Sequence, residues 1–415
     1  MKIVFVLECA NITNNGTGAT CLRFAEELRK KGHKVTILGG ILPPDSKESD
    51  YVEFDHYNFP VFEWLIRKEG FAFATTKNGN KKMYDAIKDC DVVHIFLPFK
   101  FGSRARLVAQ VCDKPVTIAF HLQPENITSA IHMGKIKPIN DILYASFKQY
   151  MYRHIKYVHC PSQMIANQLE KHNYPGESVV ISNGINDYFH PIDVAKPEEY
   201  KDKFVVVMVG RLAGEKRQDL LIKAVAKSKY NSNIQLVLCG QGPEEKRYRK
   251  LAKKVGLANP IHIKFCTQEE LRNVLNYSDL YVHASDAEIE GIAAIEAFAT
   301  GLVPIISDSK LSATNQFSLD EHCLFKHGNA NSLAERIDFF YENPEFKKEL
   351  SSKYIEEAKE YALPFQVEKM EKMLEMAIED HKNQKDFYKL YPTKKDQRKM
   401  NKIRKDLIKQ GVKFD

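Results

Sequence analysis

Nothing in these 415 residues reads as a membrane span, because apolar runs such as Val92 to Phe96 are only long enough for a strand. The chain starts directly on a strand pattern, with no secretory leader ahead of it, so the expectation is a soluble protein made in the cytoplasm. Cys9, Cys21, Cys90, Cys112, Cys160, Cys239, Cys266 and Cys323 are scattered without a C-x-x-C pair. That spacing excludes both a zinc cluster and a disulfide framework, and leaves the thiols as small buried hydrophobes. The G-x-G-x-x-G spacing of a dinucleotide site is missing, and no short internal repeat is visible.

What is present is a globular composition, 44% hydrophobic and 28% charged, on a chain long enough for two domains with sizeable cores. The net charge is +7, but residues 381–415 hold twelve Lys or Arg against four Asp, a balance of +8. The preceding 380 residues therefore carry −1, and basicity is a property of the tail.

Lys2 to Leu7 reads as a buried strand, followed by a Gly16-Thr-Gly18 turn and a helix from Ala19 to Lys31. Gly32 ends that helix before a strand at Val35 to Leu38. More strands read at 92–96, 116–120, 157–160 and 179–181, ahead of a linker at 191–200. The second half alternates strands at 204–209, 234–239, 262–265, 280–284 and 303–307 with helices at 218–229, 244–256, 268–277 and 292–300. Such alternation predicts doubly wound parallel sheets, whose ligands bind beyond the carboxyl ends of the strands. In the tail, Met400, Ile403, Leu407 and Ile408 share one helical face among Lys399, Lys402, Lys405 and Lys409, a basic amphipathic helix.

Two constellations sit at strand ends. Glu288-Ile-Glu290-Gly291 leads into an apolar helix carrying Glu296, so two carboxylates stand eight positions apart around a glycine turn. A carboxylate accepts from two neighbouring hydroxyls at once, which suits a ribose or a hexose. Upstream, strand 204–209 runs into Gly210-Arg211-Leu-Ala-Gly214-Glu215-Lys216. Cations at a helix start oppose its dipole and call for an anion, such as a phosphate.

The E-x7-E pattern, the GRLAGEK turn, the GQGP turn at Gly240 to Pro243 and the segment Ser162 to Gly184 ending in ISNG occur in the order seen in retaining family 4 glycosyltransferases. Over residues 1–380 the chain resembles that family. The resemblance implies a GT-B fold, two Rossmann-like domains facing a cleft. Residues 1–190 would form the acceptor domain and 200–364 the nucleotide-sugar donor domain. A helix at 365–382 would cross back to the first domain, leaving a basic tail at 383–415.

The resemblance also implies roles. Arg211 and Lys216 would neutralise the donor diphosphate, Glu288 would hold the donor hexose and Glu296 the ribose. Gly210, Gly240, Gly242, Gly291 and Ile292 would bring backbone to the donor, as would Gly16 and Gly18 in the first glycine-rich loop. His121, at the end of strand 116–120, would face the donor sugar as a neutral hydrogen-bonding ring or as a cation on phosphate. Glu125 and Asn126 beside it are acceptor candidates. The expected donor is a UDP-hexose, with a GDP-sugar as alternative. The expected acceptor is a lipid or glycan, and the basic tail and residues 135–156 would dock on an anionic membrane surface.

Several positions depart from the family's pattern. Glu290 replaces a common aromatic residue and is a candidate selector of the hexose. Arg217 stands where glycine is usual, Thr17 separates two glycines that are often adjacent, and Ser309-Lys-Leu-Ser-Ala replaces a glycine-rich stretch. These departures mark a divergent subgroup. Asp89-Cys-Asp91 matches the metal-binding D-x-D pattern but precedes a strand in the wrong half. It reads as structural, and no metal cofactor is expected with two cations on the diphosphate. The rival readings are a nucleotide-sugar epimerase of the same fold, which needs no acceptor, and a non-enzymatic nucleic-acid-binding protein using the tail.

Overall fold

Strings of β-branched and apolar residues fold here into parallel strands buried on both faces. The computed structural model describes residues 1–8, 16–41, 50–56, 73–77, 79–130 and 136–414. Their contacts divide the chain into two units, one of residues 1–124, 136–182 and 366–415, the other of 125–135 and 183–365.

In the first unit the strands are β1 (Lys2–Val6), β2 (Lys34–Gly39), β3 (Tyr51–Glu53), β4 (Val92–Ile95), β5 (Val116–Ala119), β6 (Tyr157–Cys160) and β7 (Glu177–Val180). Among the described residues they form one parallel sheet ordered β3-β2-β1-β4-β5-β6-β7. Ile3 pairs with Val35 on one side and Val92 on the other, so the order reverses at β1 and leaves a switch point at the ends of β1 and β4. The first helix runs from Gly16 to Lys30, with Gly18, Cys21, Phe24, Ala25 and Leu28 buried. Gly16 and Gly18 thus lie in a helical first turn and not in the turn read from the sequence. Thr20 Oγ1 donates to the Gly16 carbonyl at 2.8 Å inside that turn.

The C-terminal stretch completes this unit. Val367, Met370, Met373 and Leu374 on the helix Leu363–Lys382 are buried. Glu371 pairs with Lys31 at 2.7 Å and with His33 Nε2 at 2.7 Å, while Asp380 pairs with Lys156 and accepts from the Tyr157 hydroxyl at 2.7 Å. His33, at the end of the first helix, is thus part of a polar tie to the helix Leu363–Lys382. The helix Lys394–Lys409 buries Met400, Ile403 and Leu407, whereas Ile408 is 57% exposed. One residue advances a helix by about 100°, which carries Ile408 off the narrow stripe. The stripe packs beside the helix Lys100–Val111, so the tail's apolar face is spent inside the unit. Lys148 and Lys156, read as membrane-facing cations, instead hold the His172 carbonyl and Asp380.

The second unit contains β8 (Phe204–Val209), β9 (Ile234–Cys239), β10 (His262–Lys264), β11 (Leu280–His283), β12 (Ala287–Glu288), β13 (Pro304–Ser307), β14 (Leu311–Ser312) and β15 (Leu324–Phe325). Six form a parallel sheet ordered β10-β9-β8-β11-β13-β15, and β12 pairs with β14. Helices Gln218–Lys227, Glu245–Val255, Gln268–Tyr277 and Ile292–Ala299 fall close to their sequence positions. Among the described residues, no helix is long and apolar enough to cross a membrane.

Arg106, 1% exposed, donates to Asp396 Oδ1 at 3.3 Å, and His154 Nε2 lies 3.2 Å from the other carboxylate oxygen. Removing one partner of a buried pair strands the other charge. Asp396→Ala is therefore expected to destabilise the protein by about 3 kcal/mol or more, measured as a lowered denaturation midpoint; an unchanged midpoint would refute the pair's structural weight.

Candidate active site

In the second unit the turns after β8, β9 and β11 emerge from neighbouring strands of one sheet. The first two are laced through backbone. Leu212 N donates to the Gln241 carbonyl at 3.0 Å and Glu244 N to the Leu212 carbonyl at 3.1 Å. A Cβ on Gly240 would lie 2.0 Å from the Gly210 carbonyl oxygen, and one on Gly242 would lie 2.3 Å from that of Leu212. Glycine is thus required there by close packing, whatever else it contacts.

This lacing presents Arg211 and Lys216. Arg211 donates to Glu215 Oε1 at 3.1 Å, and Lys216 Nζ pairs directly with Glu288 Oε2. His283, the last residue of β11, places Nε2 at 3.5 Å from the same oxygen, and its Nδ1 lies 3.1 Å from the Tyr281 hydroxyl. The result is a polar chain, Tyr281–His283–Glu288–Lys216. Burial pushes the Glu288 carboxyl up, but the Lys216 charge and the His283 contact more than offset it and draw it down to about 2. Burial, and then the negative charges of Glu288 and Glu296, push the Tyr281 phenol well above its usual range.

The glycine between them is demanded locally. Gly291 caps the helix Ile292–Ala299 at φ +95°, and a Cβ there would meet Thr314 Cγ2 at 2.2 Å. Ile292 opens the helix, and Glu296 falls on its second turn. The macrodipole acts over the first turn, so it does not explain this carboxylate. The segment replacing the glycine-rich stretch also has work: Ser312 pairs with Glu288 in the β12–β14 ladder, and Ser309 Oγ donates to the Asp286 carbonyl at 2.5 Å. Arg217 has φ +59°, the left-handed region that favours glycine. Its guanidinium reaches Asp219 at 3.1 Å and Asp286 at 3.0 Å, two ion pairs that a glycine would lack.

Glu290 requires a correction. It is 1% exposed, and its carboxylate takes the Asn183 backbone N–H at 3.1 and 3.2 Å and the Asn183 side-chain amide at 2.5 Å. These oxygens fasten the ISNG segment to the turn at Gly291 and are not available to choose a hexose.

In the first unit His121 is buried, stacked on Phe96 at 5.7 Å and edge-on to His159 at 4.9 Å. Burial, then His159 and His94, hold it well below the usual histidine range. The ring is neutral at physiological pH, which removes the phosphate-binding cation from its two sequence-derived roles. Glu125 is buried in the first turn of the short helix Pro124–Ala130, and Asn126 Oδ1 has no hydrogen-bond partner among the described residues. Both fall in the other unit from His121. Asp91 Oδ2 accepts from the Lys2 amide at 2.6 Å, a structural task at the start of the sheet.

His283 and Tyr281 were missed in the sequence. The signal was faint: alternation in a short strand that leaves a histidine on its last residue.

Residues 14–188 match the family described as Glycosyltransferase Family 4, and residues 190–361 match Glycosyl transferases group 1. Alpha-monoglucosyldiacylglycerol synthase of Acholeplasma laidlawii is 24% identical over 310 residues, 70% of this chain and 76% of that protein. The catalytic domain of cholesterol-alpha-glucosyltransferase from Helicobacter pylori is 43% identical, with 38% of this chain and 99% of that one covered and a TM-score of 0.35. Anabaena Alr3699/HepE, solved in complex with UDP and glucose, is 16% identical with a TM-score of 0.70, covering 91% of this chain and 100% of that one, a likeness of fold alone.

Two outcomes follow from the local contacts. Glu290→Ala leaves the buried Asn183 donors unmet and is expected to cost about 1–3 kcal/mol of stability without altering preference among donor hexoses; a changed preference with unchanged stability would restore the selector role. Glu288, lowered from 4.5 to about 2, contributes stability that is complete above pH 4.5 and lost as pH falls toward 2. In Lys216→Ala burial is no longer offset by that charge, so this acid-side loss should shrink or change sign when unfolding free energy is followed against pH.

Proposed function

The chain belongs to the family 4 glycosyltransferases, and from that premise we propose that it moves a hexose from a nucleotide-sugar, UDP-hexose first, to a lipid or lipid-linked glycan at the cytoplasmic face of the membrane, with retention of configuration. The observation that carries this reading is the direct pairing of Lys216 with Glu288 where β8 and β12 end, beside the backbone of Gly291.

Each group then has a task its surroundings allow. Arg211 and Lys216 hold the diphosphate and stabilise the charge it gains as the glycosidic bond breaks. Glu288, held ionised, accepts from hexose hydroxyls, and Glu296 accepts from the ribose. A carboxyl drawn down to about 2 is a poor base and is tied to a cation. We therefore assign the acceptor's proton to the departing diphosphate oxygen, on the same face as the new bond. Two protein cations on the diphosphate make this reading independent of a metal. Neutral His121 is assigned a hydrogen bond to a substrate hydroxyl. The lipid acceptor is supported by similarity to the Acholeplasma relative, an alpha-monoglucosyldiacylglycerol synthase.

Thermal-shift titration with UDP, GDP, ADP and their hexose conjugates tests the donor site. A selective rise in Tm with UDP and UDP-hexose is expected, abolished in Glu296→Ala. Lys216→Ala should weaken nucleotide binding roughly ten- to a hundredfold, the worth of one charge-assisted contact. Unaltered binding in that variant would refute the diphosphate assignment. Product analysis then separates transfer to an acceptor from epimerisation of the donor.

A further inference from the structure

A second built site lies in the first unit. A cavity of about 360 Å³ opens between the helix Lys137–Tyr150, the turn Tyr152–His154 and the start of the helix Lys394–Lys409. Tyr150, Arg153, His154, Lys395, Asp396 and Lys399 line it. Its carboxylate is already committed, with Oδ1 on buried Arg106 at 3.3 Å and Oδ2 on His154 at 3.2 Å. With that charge cancelled by Arg106, three cations remain: Arg153, Lys395 and Lys399. None of them has an ion-pair partner among the described residues. Arg153 instead donates to Gln149 Oε1 at 2.5 Å, and Lys399 sits 5.8 Å from the centre of the Tyr150 ring. Three like charges around one concavity repel each other unless an anion enters, and a phosphate suits both an arginine fork and lysine point charges.

The rim says where the phosphate comes from. Among the exposed large apolar side chains, Tyr150 lines this cavity, Ile142 lies one turn before its lining residue Ser146 on the same helix, and Leu390 and Tyr391 stand just ahead of its lining residue Thr393. Ile142 is 68% and Tyr391 65% exposed. The segment Phe387–Leu390 packs next to the turn Tyr152–His154, so Leu390 and Tyr391 stand close to the turn that carries Arg153. Cations beside exposed leucine and tyrosine side chains fit a headgroup layer, with phosphate at the charges and apolar groups at the acyl boundary.

We propose that this cavity binds the phosphate of an anionic phospholipid headgroup, so that the tail docks the first unit on membranes through its cations while its apolar stripe stays packed inside. Binding here requires neither donor nor acceptor, so it stands or falls separately from the transferase reading.

The full chain is tested by co-sedimentation with phosphatidylcholine vesicles with and without phosphatidylglycerol. Binding should depend on phosphatidylglycerol. The double variant Lys395→Ala/Lys399→Ala should weaken it about thirtyfold, two charges at about fivefold each. The control Lys402→Ala/Lys405→Ala removes the same charge from exposed positions on the same helix and should weaken it much less. Equal losses in the two variants would overturn the cavity in favour of diffuse attraction, and so would equal binding to both vesicle types. If inorganic phosphate raises Tm in the parent and not in the Lys395/Lys399 variant while vesicle binding is the same in both, the ligand is free phosphate and the lipid assignment fails. Matching circular dichroism and denaturation midpoints guard against misfolding.

Discussion

A carboxylate taken out of water needs a compensating charge, and the Lys216–Glu288 pair meets that requirement where strands of the second sheet end. Much of the local backbone serves to hold its two halves in reach. Glycines 240 and 242 let the turn after β9 press against the turn that carries Lys216, and the β12–β14 ladder fixes the chain at Glu288. Gly291 turns sharply enough for the next helix to begin within one residue, which puts Glu296 on its second turn.

The departures from the family's pattern become coherent on these terms. Arg217 accepts an unfavourable backbone angle and gains Asp219 and Asp286. His327 also lies 2.7 Å from Asp286, so the loop after β11 is held by charge from two sides. Glu290 exchanges an aromatic contact for three hydrogen bonds to Asn183. Both changes rigidify these turns of the second unit with polar ties whose worth depends on low exposure.

Charge in the first unit is distributed on another principle. The +8 of the tail looked like a free amphipathic helix, yet its apolar stripe is internal and one of its acids neutralises Arg106. Arg153, Lys395 and Lys399 instead line a surface cavity without ion-pair partners among the described residues, beside exposed Tyr150.

Much was legible in the amino-acid order. Continuous apolar runs between glycine and charged residues marked the buried strands, because a strand covered on both faces has no polar side to show. The five strands and four helices read in the second unit therefore fall within a residue or two of where they fold, whereas the two-residue strands β12, β14 and β15 carry too few residues to show a pattern. Pairing between distant residues was not legible. That Glu290 meets Asn183, that His283 meets Glu288, that Asp396 meets Arg106 and that His121 lies buried against Phe96 and His159 all depend on separations of 5 to 290 residues. Sequence determined which segments had to be covered and which carried charge; tertiary structure decided which charges met, because a side chain's partner is set by the packing of whole elements and not by its neighbours along the chain.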